Sequence, residues 1–324
     1  MDWLDAGLNA PLIVVRAIHF AATAITTGAL IFRAVVLEPA LHSERASCSG
    51  RKGDKLRKQS LSLAWIGLGL VLASGAIWLL IEAASMSERP LGEVMSSSLL
   101  LTVLQETQFG QVCEIRLLLS VVLAACLAYH RFGLADRLAL GAGLGLAAAI
   151  AWTGHAGSTP GELGKLHLTA DVLHLLAASA WIGGLVPLVL LLAATRGDRA
   201  FAWPSLTRNA TARFSTLGVV SVATLAATGM VNAWILVGSF HALLSTGYGR
   251  LLMLKLGVLA IMLVFAASNR FWLTPRLARS SGNELQDQIL RQLTRNSVIE
   301  IALGFAIFAI VGMLGTMHPA IHLL

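Results

Sequence analysis

Eight apolar stretches dominate this chain, and each is about long enough to cross a lipid bilayer. A membrane-spanning helix needs about 20 mostly apolar residues, because lipid offers no hydrogen-bond partner to an exposed backbone. We therefore predict an all-α integral membrane protein with eight transmembrane helices, and a surface helix at 91–106 that does not span. The predicted spans lie near residues 11–37, 62–84, 112–130, 134–152, 166–193, 214–236, 250–273 and 298–317.

The composition points to the same class of protein. Hydrophobic residues make up 56% of the 324 residues and charged residues only 13%, which is too apolar for a soluble domain of this length. The sequence contains no Walker motif, no nucleophile elbow and no carboxylate pair. We therefore expect neither an ATP-driven pump nor a hydrolase, and predict that the protein is not an enzyme.

The basic residues predict the orientation in the membrane. Four of the predicted connections contain 18 of the 24 Lys and Arg residues; they are 33–60, 130–138, 194–213 and 270–297. Because cytoplasmic loops carry the excess of Lys and Arg, these four connections are predicted to be cytoplasmic. Both termini of the chain are then predicted to be periplasmic.

The two halves of the chain, 1–160 and 161–324, resemble each other. Because each half has an even number of helices, the two four-helix repeats are predicted to be parallel, related by a pseudo-two-fold axis along the membrane normal. The matched segments are R16-A-I-H19 to G28 with D171-V-L-H174 to G183, S74-G75 with T228-G229, and T107-Q-F-G110 to Arg116 with T246-G-Y-G249 to Lys255.

His19 and His174 occupy equivalent positions in these repeats, each eight residues after its apolar run begins. At 1.5 Å per residue, both lie about 12 Å below the outer helix ends. His167, Asp171 and His174 follow at i, i+4 and i+7, so they share one helix face. An ionisable side chain inside a membrane is by default a candidate functional site, although a single histidine there more often serves in packing.

The histidine cluster favours metal binding. His155 and His318 leave their helices at the same outer surface, and imidazole suits copper, zinc, iron and nickel. Two histidines at one depth also fit a bis-His haem b in an electron-transfer or metal-reducing protein, and a third alternative is a scaffold that docks a periplasmic chaperone. The candidate metal ligands are His19, His155, His167, His174, Asp171 and His318.

Other charges in the predicted spans are expected to have structural roles. Arg116 and Lys255 are predicted to extend to the outer headgroups or to pair with nearby acids such as Asp171. Glu300, at the inner end of the last span, is predicted to pair with Arg270.

Nearly the whole chain resembles the copper resistance protein D (CopD) family, most densely at 207–316. The resemblance implies a bacterial inner-membrane protein of copper homeostasis, thought to move copper across the cytoplasmic membrane. The motifs that carry it are R16-A-I-H19-F, T107-Q-F-G110, G154-H155-A156, H167 to H174, W181-I-G-G-L185, R213-F-S215, G229-M-V-N232, Y248-G-R-L-L-M-L-K255 and N269-R270.

The resemblance also implies which residues bind copper. His19, His155, His167 and His174 match recurrent histidines of the family, whereas Asp171 stands where some members carry another histidine. His318 stands where a non-histidine residue is expected, which weakens its assignment as a ligand. The family often works with a small periplasmic copper-binding partner of the CopC type. We therefore predict copper transport, with import favoured because the candidate ligands gather at the outer side.

Overall fold

The computed structural model describes residues 9–43, 50–96, 98–129, 133–197, 203–280 and 283–322. This part of the chain contains helices and no strands, and eight of its helices are long and apolar enough to cross a membrane. The predicted all-α class and number of spans are confirmed. We number the spans α1 to α8: Ala10–Ser43, Gly53–Ser87, Gln108–Ala128, Gly133–Thr153, Gly161–Thr195, Pro204–Val237, Gly247–Arg279 and Glu284–Leu314.

The segment 91–106 is helical and does not span, as predicted. It forms two short helices, Leu91–Ser96 and Leu99–Glu106. Their side chains Val94 and Val103 are buried in a small apolar cluster with the end of α2. Two further short helices, beside the ends of the spans, are His155–Ser158 and Phe240–Ser245.

The helices α1 and α5 form the centre of the bundle. In their most apolar windows 78% and 67% of the residues are buried, against 22% in α6 and 11% in α7. The helix α1 packs against α2, α4, α5 and α8. Neighbours recur between the halves, since α1 with α2, α3 with α4 and α1 with α4 correspond to α5 with α6, α7 with α8 and α5 with α8.

The two central helices cross at a pair of glycines. A methyl group on Gly28 would lie against the backbone of Gly183 and Ser179, and one on Gly183 would lie against the carbonyl of Ala24. Small residues at a crossing let two membrane helices approach at backbone distance. The matched glycines of the sequence are therefore in direct contact.

Several helices continue beyond their apolar runs, so the predicted connection 33–60 is wrong in extent. The helix α1 continues to Ser43, and the helix that contains α2 starts at Gly50. Charged side chains at these ends pair with one another, as in Arg33 with Asp136 at 3.0 Å and Arg57 with Glu38 at 2.8 Å. Residues 44–49 and the termini, 1–8 and 323–324, lie outside the described residues.

Three spans contain a π-helical turn. These turns are Phe32–Leu37 in α1, Ser179–Gly183 in α5 and Asn269–Leu273 in α7. A π turn inserts one extra residue and rotates the side chains that follow it, and such turns are frequent at functional sites. The turn in α5 begins five residues after His174, and the turn in α7 lies between two α-helical segments, Gly247–Ser268 and Thr274–Arg279.

We predict that Gly183→Val destabilises the bundle strongly. Because the added side chain meets backbone and not a mobile side-chain end, α1 and α5 must separate, at a cost of about 1–3 kcal/mol or more. The measurement is the apparent unfolding temperature of the purified protein in detergent. The matched control is Gly141→Val, because a Cβ on Gly141 has no atom within 4 Å. Equal unfolding temperatures for the two variants would contradict this close crossing.

Candidate functional site

His19 is buried between α1 and α2, where a serine fixes its orientation. Its Nδ1 lies 2.9 Å from Ser74 Oγ. The Ser74 hydroxyl donates its own hydrogen to the carbonyl of Leu70 at 2.5 Å. Ser74 Oγ must therefore accept from His19, so the hydrogen of the neutral imidazole is on Nδ1 and the lone pair is on Nε2. The ring's Cε1 lies beside Gly75, where a Cβ would be 3.2 Å away.

His174 has the same arrangement between α5 and α6. Its Nδ1 lies 3.0 Å from Thr228 Oγ1, and the Thr228 hydroxyl donates to the carbonyl of Thr224 at 2.7 Å. The lone pair of the neutral ring is again on Nε2. Gly229 borders Cε1, at 3.5 Å from a built Cβ. Each histidine thus has the same two neighbours, a hydroxyl that orients the ring and a glycine that leaves space for it. These neighbours are Ser74-Gly75 for His19 and Thr228-Gly229 for His174.

The two histidines differ in what contacts Nε2. The guanidinium of Arg116 donates to His19 Nε2 at 2.5 Å, and also to the carbonyl of Leu146 and to Thr23 Oγ1. Arg116 is only 6% exposed, so the expected extension to the headgroups is wrong. The ring nitrogen and a backbone carbonyl hold it inside the bundle. His174 Nε2, by contrast, receives no hydrogen bond from any residue that the structure describes.

A second cation lies near His19. Arg16 is buried, donates to the carbonyl of Gly315 at 3.1 Å, and stands 5.2 Å from the Trp78 ring centroid. The Trp78 ring in turn contacts the His19 ring edge-on at 5.3 Å. Arg116 contacts the His19 ring directly, and Arg16 contacts the Trp78 ring that packs against His19, so the positive charge on this side disfavours a metal cation at His19.

The surroundings of His174 include a carboxylate. Asp171, the counterpart of Arg16, accepts a hydrogen bond from Asn232 Nδ2 at 3.1 Å. Lys255, the counterpart of Arg116, is close enough to interact electrostatically with Asp171 and His174. Asn232 Oδ1 is buried and has no hydrogen-bond partner in the described part of the chain. This region has an acidic group and an unused amide oxygen as well as a cation.

His167 lies in the N-terminal part of α5, and His155 lies in the short helix that precedes α5. Thr159 Oγ1 donates to the carbonyl of His155 at 3.0 Å and lies 2.8 Å from His167 Nδ1. By the same reasoning the hydrogen of His167 is on Nδ1 and its lone pair on Nε2. The ring of His155 is 6.4 Å from that of Tyr248 in α7. His19, His167 and His174 therefore all carry their lone pair on Nε2.

His318 differs from the other candidates. It is exposed in the segment after α8 and makes no side-chain hydrogen bond within the described ranges. Across residues 9–43, 50–96, 98–129, 133–197, 203–280 and 283–322, no three His, Cys, Asp or Glu side chains are grouped closely enough to hold a metal ion. The structure therefore brings together His174 with Asp171 and His155 with His167, and it does not assemble all six candidates into one cage.

Sequence reasoning missed residues that shape this site. Ser74 and Thr228 were visible only as part of the repeat, and Asn232 only as part of a family motif. Nothing in the sequence indicates that Arg116 reaches His19, because that contact joins α1 to α3 across 97 positions. Ser74 with Thr228 and Arg116 with Lys255 share one signal, a polar residue at a matched position in each half, whereas the position matched to Asn232 is Trp78.

Comparison with known proteins matches both parts of this chain to copper resistance protein D models. The family model described as copper resistance protein D matches residues 208–314, and the model described as copper resistance protein D-like, N-terminal domain, matches residues 5–165. Copper resistance protein D of Pseudomonas syringae pv. tomato is 29% identical over 272 residues, which is 83% of this chain and 86% of that protein.

Two further relatives support membership of this family. The inner membrane protein YebZ of Escherichia coli is 31% identical over 252 residues, covering 75% of this chain and 82% of YebZ. The copper transport protein CutJ of Bacillus subtilis is 32% identical over 165 residues, covering 50% of this chain and 27% of CutJ. No solved structure matches. This chain belongs to the copper resistance protein D family.

Proposed function

We propose that this protein is a copper homeostasis protein of the bacterial inner membrane that transports copper, with import favoured. The observation that carries the proposal is the environment of His174. Its hydrogen is fixed on Nδ1, its Nε2 is not hydrogen-bonded by described residues, and a carboxylate, Asp171, lies one turn away. A ligating histidine typically donates its other ring N–H to an oxygen in this way. Family membership supports copper as the cargo.

The proposed topology is two parallel four-helix halves, 1–160 and 161–324, with both termini in the periplasm. The recurrent helix neighbours, the paired histidine, hydroxyl and glycine contacts, and the crossing of Gly28 with Gly183 support this arrangement. The basic connections support the orientation. The histidines then lie in the outer half, which favours capture from the periplasm.

We assign different roles to the candidate ligands. His174 is the central ligand, Asp171 lowers the cost of a cation in the membrane, and His167 and His155 form the entrance. His318 is proposed as an outer ligand at the exposed surface. His19 is the symmetric ligand, and copper reaches its Nε2 only after Arg116 moves away.

Copper is proposed to arrive from a separate periplasmic protein of the CopC type, because the candidate ligands gather at the periplasmic end. The proposed transport involves no chemical conversion, and we therefore propose no enzymatic activity. A bis-His haem b requires both Nε2 atoms as iron ligands. Arg116 contacts one of them through a buried guanidinium, and these residues therefore fit haem less well than a single copper ion at His174.

We predict that His174→Ala weakens copper binding about ten-fold or more, because it removes the ligand whose lone pair is available. His19→Ala should weaken binding by less than about three-fold, since Arg116 competes for that nitrogen. The measurement is an anaerobic Cu(I) titration of the purified protein against a chromophoric chelator. His241→Ala in the exposed helix Phe240–Ser245 is the control and should bind as the wild type does. Unchanged binding in a His19→Ala, His174→Ala double variant would refute this site.

We also predict that Arg116→Gln exposes His19 to copper. In the His174→Ala background, the added Arg116→Gln change should restore copper binding several-fold, and a further His19→Ala change should abolish the gain. The same chelator titration measures it, with size-exclusion chromatography to confirm that each variant is monodisperse. Arg116→Lys keeps a cation at this position and should restore less. No gain, or a gain that does not depend on His19, would show that Arg116 does not restrict this histidine.

A further inference from the structure

A cavity of about 330 Å³ lies between α5, α6, α7 and α8, towards the opposite end of the bundle from His174. Its walls are mainly apolar, with Leu185, Val222 and Leu263 among them. A cavity of this size, with apolar walls and a few placed polar groups, is typical of small-molecule sites. The outer histidine site uses none of these residues.

The cavity opens to the lipid-facing surface of the bundle. Val219 of α6 and Phe271 of α7 both line it and are 50% and 69% exposed. Both helices have little buried surface in their apolar windows. A ligand can therefore enter from the bilayer between α6 and α7, which favours a lipid-soluble molecule.

One polar group in the wall has no partner. Thr211 is 4% exposed, and its Oγ1 has no hydrogen-bond partner among the described residues. Leaving a buried hydroxyl unpaired costs about 1–3 kcal/mol, so a ligand that pairs with it gains that interaction. Arg270 also lines the cavity, and it donates to Ser215 Oγ at 3.0 Å. A guanidinium has five N–H donors, so others remain for an acceptor on a ligand.

Glu300 forms another part of the wall. It is 2% exposed, and its Oε1 accepts from Asn269 Nδ2 at 2.7 Å. Trp181 also hydrogen-bonds to this carboxyl. The predicted pairing of Glu300 with Arg270 is wrong, because the arginine contacts Ser215 and the carboxyl contacts an amide and an indole. The cavity thus has one acidic and one basic residue that do not neutralise each other directly.

Two of the π turns contribute residues to the walls of this cavity. Trp181 lies in the turn Ser179–Gly183, and Arg270 and Phe271 lie in the turn Asn269–Leu273. Because a π turn rotates the residues around it, these polar and aromatic groups face a common space that a regular helix would not create. Such turns are frequent where a helix contributes to a binding site.

We propose that this cavity binds a lipid-soluble quinone, meaning a planar ring with two carbonyl oxygens and an apolar tail. The carbonyls accept hydrogen bonds from Thr211 and Arg270. The ring packs against the aromatic residues Trp181, Phe214 and Phe271. The tail leaves through the opening between α6 and α7. The proposal concerns binding alone and is independent of copper at His174.

The charges of the cavity favour a neutral head group over a phosphate. The carboxyl of Glu300 lines the same space as Arg270, so a phospholipid phosphate at the arginine would meet an acidic group in a medium of low dielectric constant. A quinone ring has no charge to be repelled. Its two carbonyl oxygens can accept hydrogen bonds from the Thr211 hydroxyl and from the guanidinium hydrogens of Arg270 that Ser215 does not use.

The test is a calorimetric titration of the detergent-purified protein with decylubiquinone. Gly218→Phe fills the cavity, because Gly218 lines it and a Cβ there has no atom within 4 Å. The matched control is Gly257→Phe, since Gly257 has the same open space but lies outside the cavity lining. Wild type and Gly257→Phe should bind saturably, and Gly218→Phe should bind at least ten-fold more weakly.

Thr211→Val tests the proposed hydrogen bond without a change of shape. It should weaken decylubiquinone binding by about two- to ten-fold, which corresponds to one lost hydrogen bond. Absence of saturable binding, or equal binding by Gly218→Phe and the wild type, would overturn the proposal. Binding of phosphatidylglycerol that displaces decylubiquinone and weakens in Thr211→Val would also overturn it, and would identify a phospholipid site instead.

Discussion

The close crossing of α1 and α5 is the constraint on which the rest of this bundle depends. At Gly28 and Gly183 the two backbones meet with no space for a side chain on either helix. Each glycine follows its histidine by nine residues, so the crossing fixes His19 and His174 relative to each other. The remaining spans surround this pair, and α6 and α7 are left with little buried surface in their apolar windows.

The second constraint is the cost of a polar ring inside a membrane. Each imidazole donates through Nδ1 to a hydroxyl whose own hydrogen is given to a carbonyl one turn earlier in its helix. This arrangement satisfies one ring nitrogen and the hydroxyl together, and leaves Nε2 as a base. The two halves differ in the charged group that lies near this Nε2 atom. A guanidinium contacts it in the first half, and a carboxylate lies nearby in the second.

Much of the fold could be predicted from the sequence, because a membrane leaves few alternatives. The apolar runs predict the spans, and the surface helix at 91–106 follows from its shorter run. The helix ends were placed less well. The charges near Arg33 and Glu38 suggested a loop, whereas these residues continue α1 and pair with partners on other helices. Those pairings depend on tertiary contacts that no local pattern contains.

The contacts around the two histidines could not be predicted from the sequence. Matched positions in the sequence identified His19 and His174 as candidate ligands, and helix geometry predicts that they lie at one depth. The sequence predicts that Arg116 extends to the headgroups or pairs with a nearby acid, because an arginine in a span usually reaches water or a counter-charge. It stays buried because His19, Thr23 and the Leu146 carbonyl together offer three acceptors. An acceptor set drawn from two other spans cannot be found by inspecting the helix that carries the arginine.

The two halves differ in the charged residues at two of their matched positions. Where the first half has Arg16 and Arg116, the second has Asp171 and Lys255. In the second half an aspartate thus takes the place of an arginine three residues before the histidine, while each ring keeps a hydroxyl and a glycine beside it. The second half also contains the cavity whose walls come from α5 to α8. The crossing at Gly28 and Gly183 involves one helix from each half, so both halves depend on it, while the charged residues near the two histidines differ.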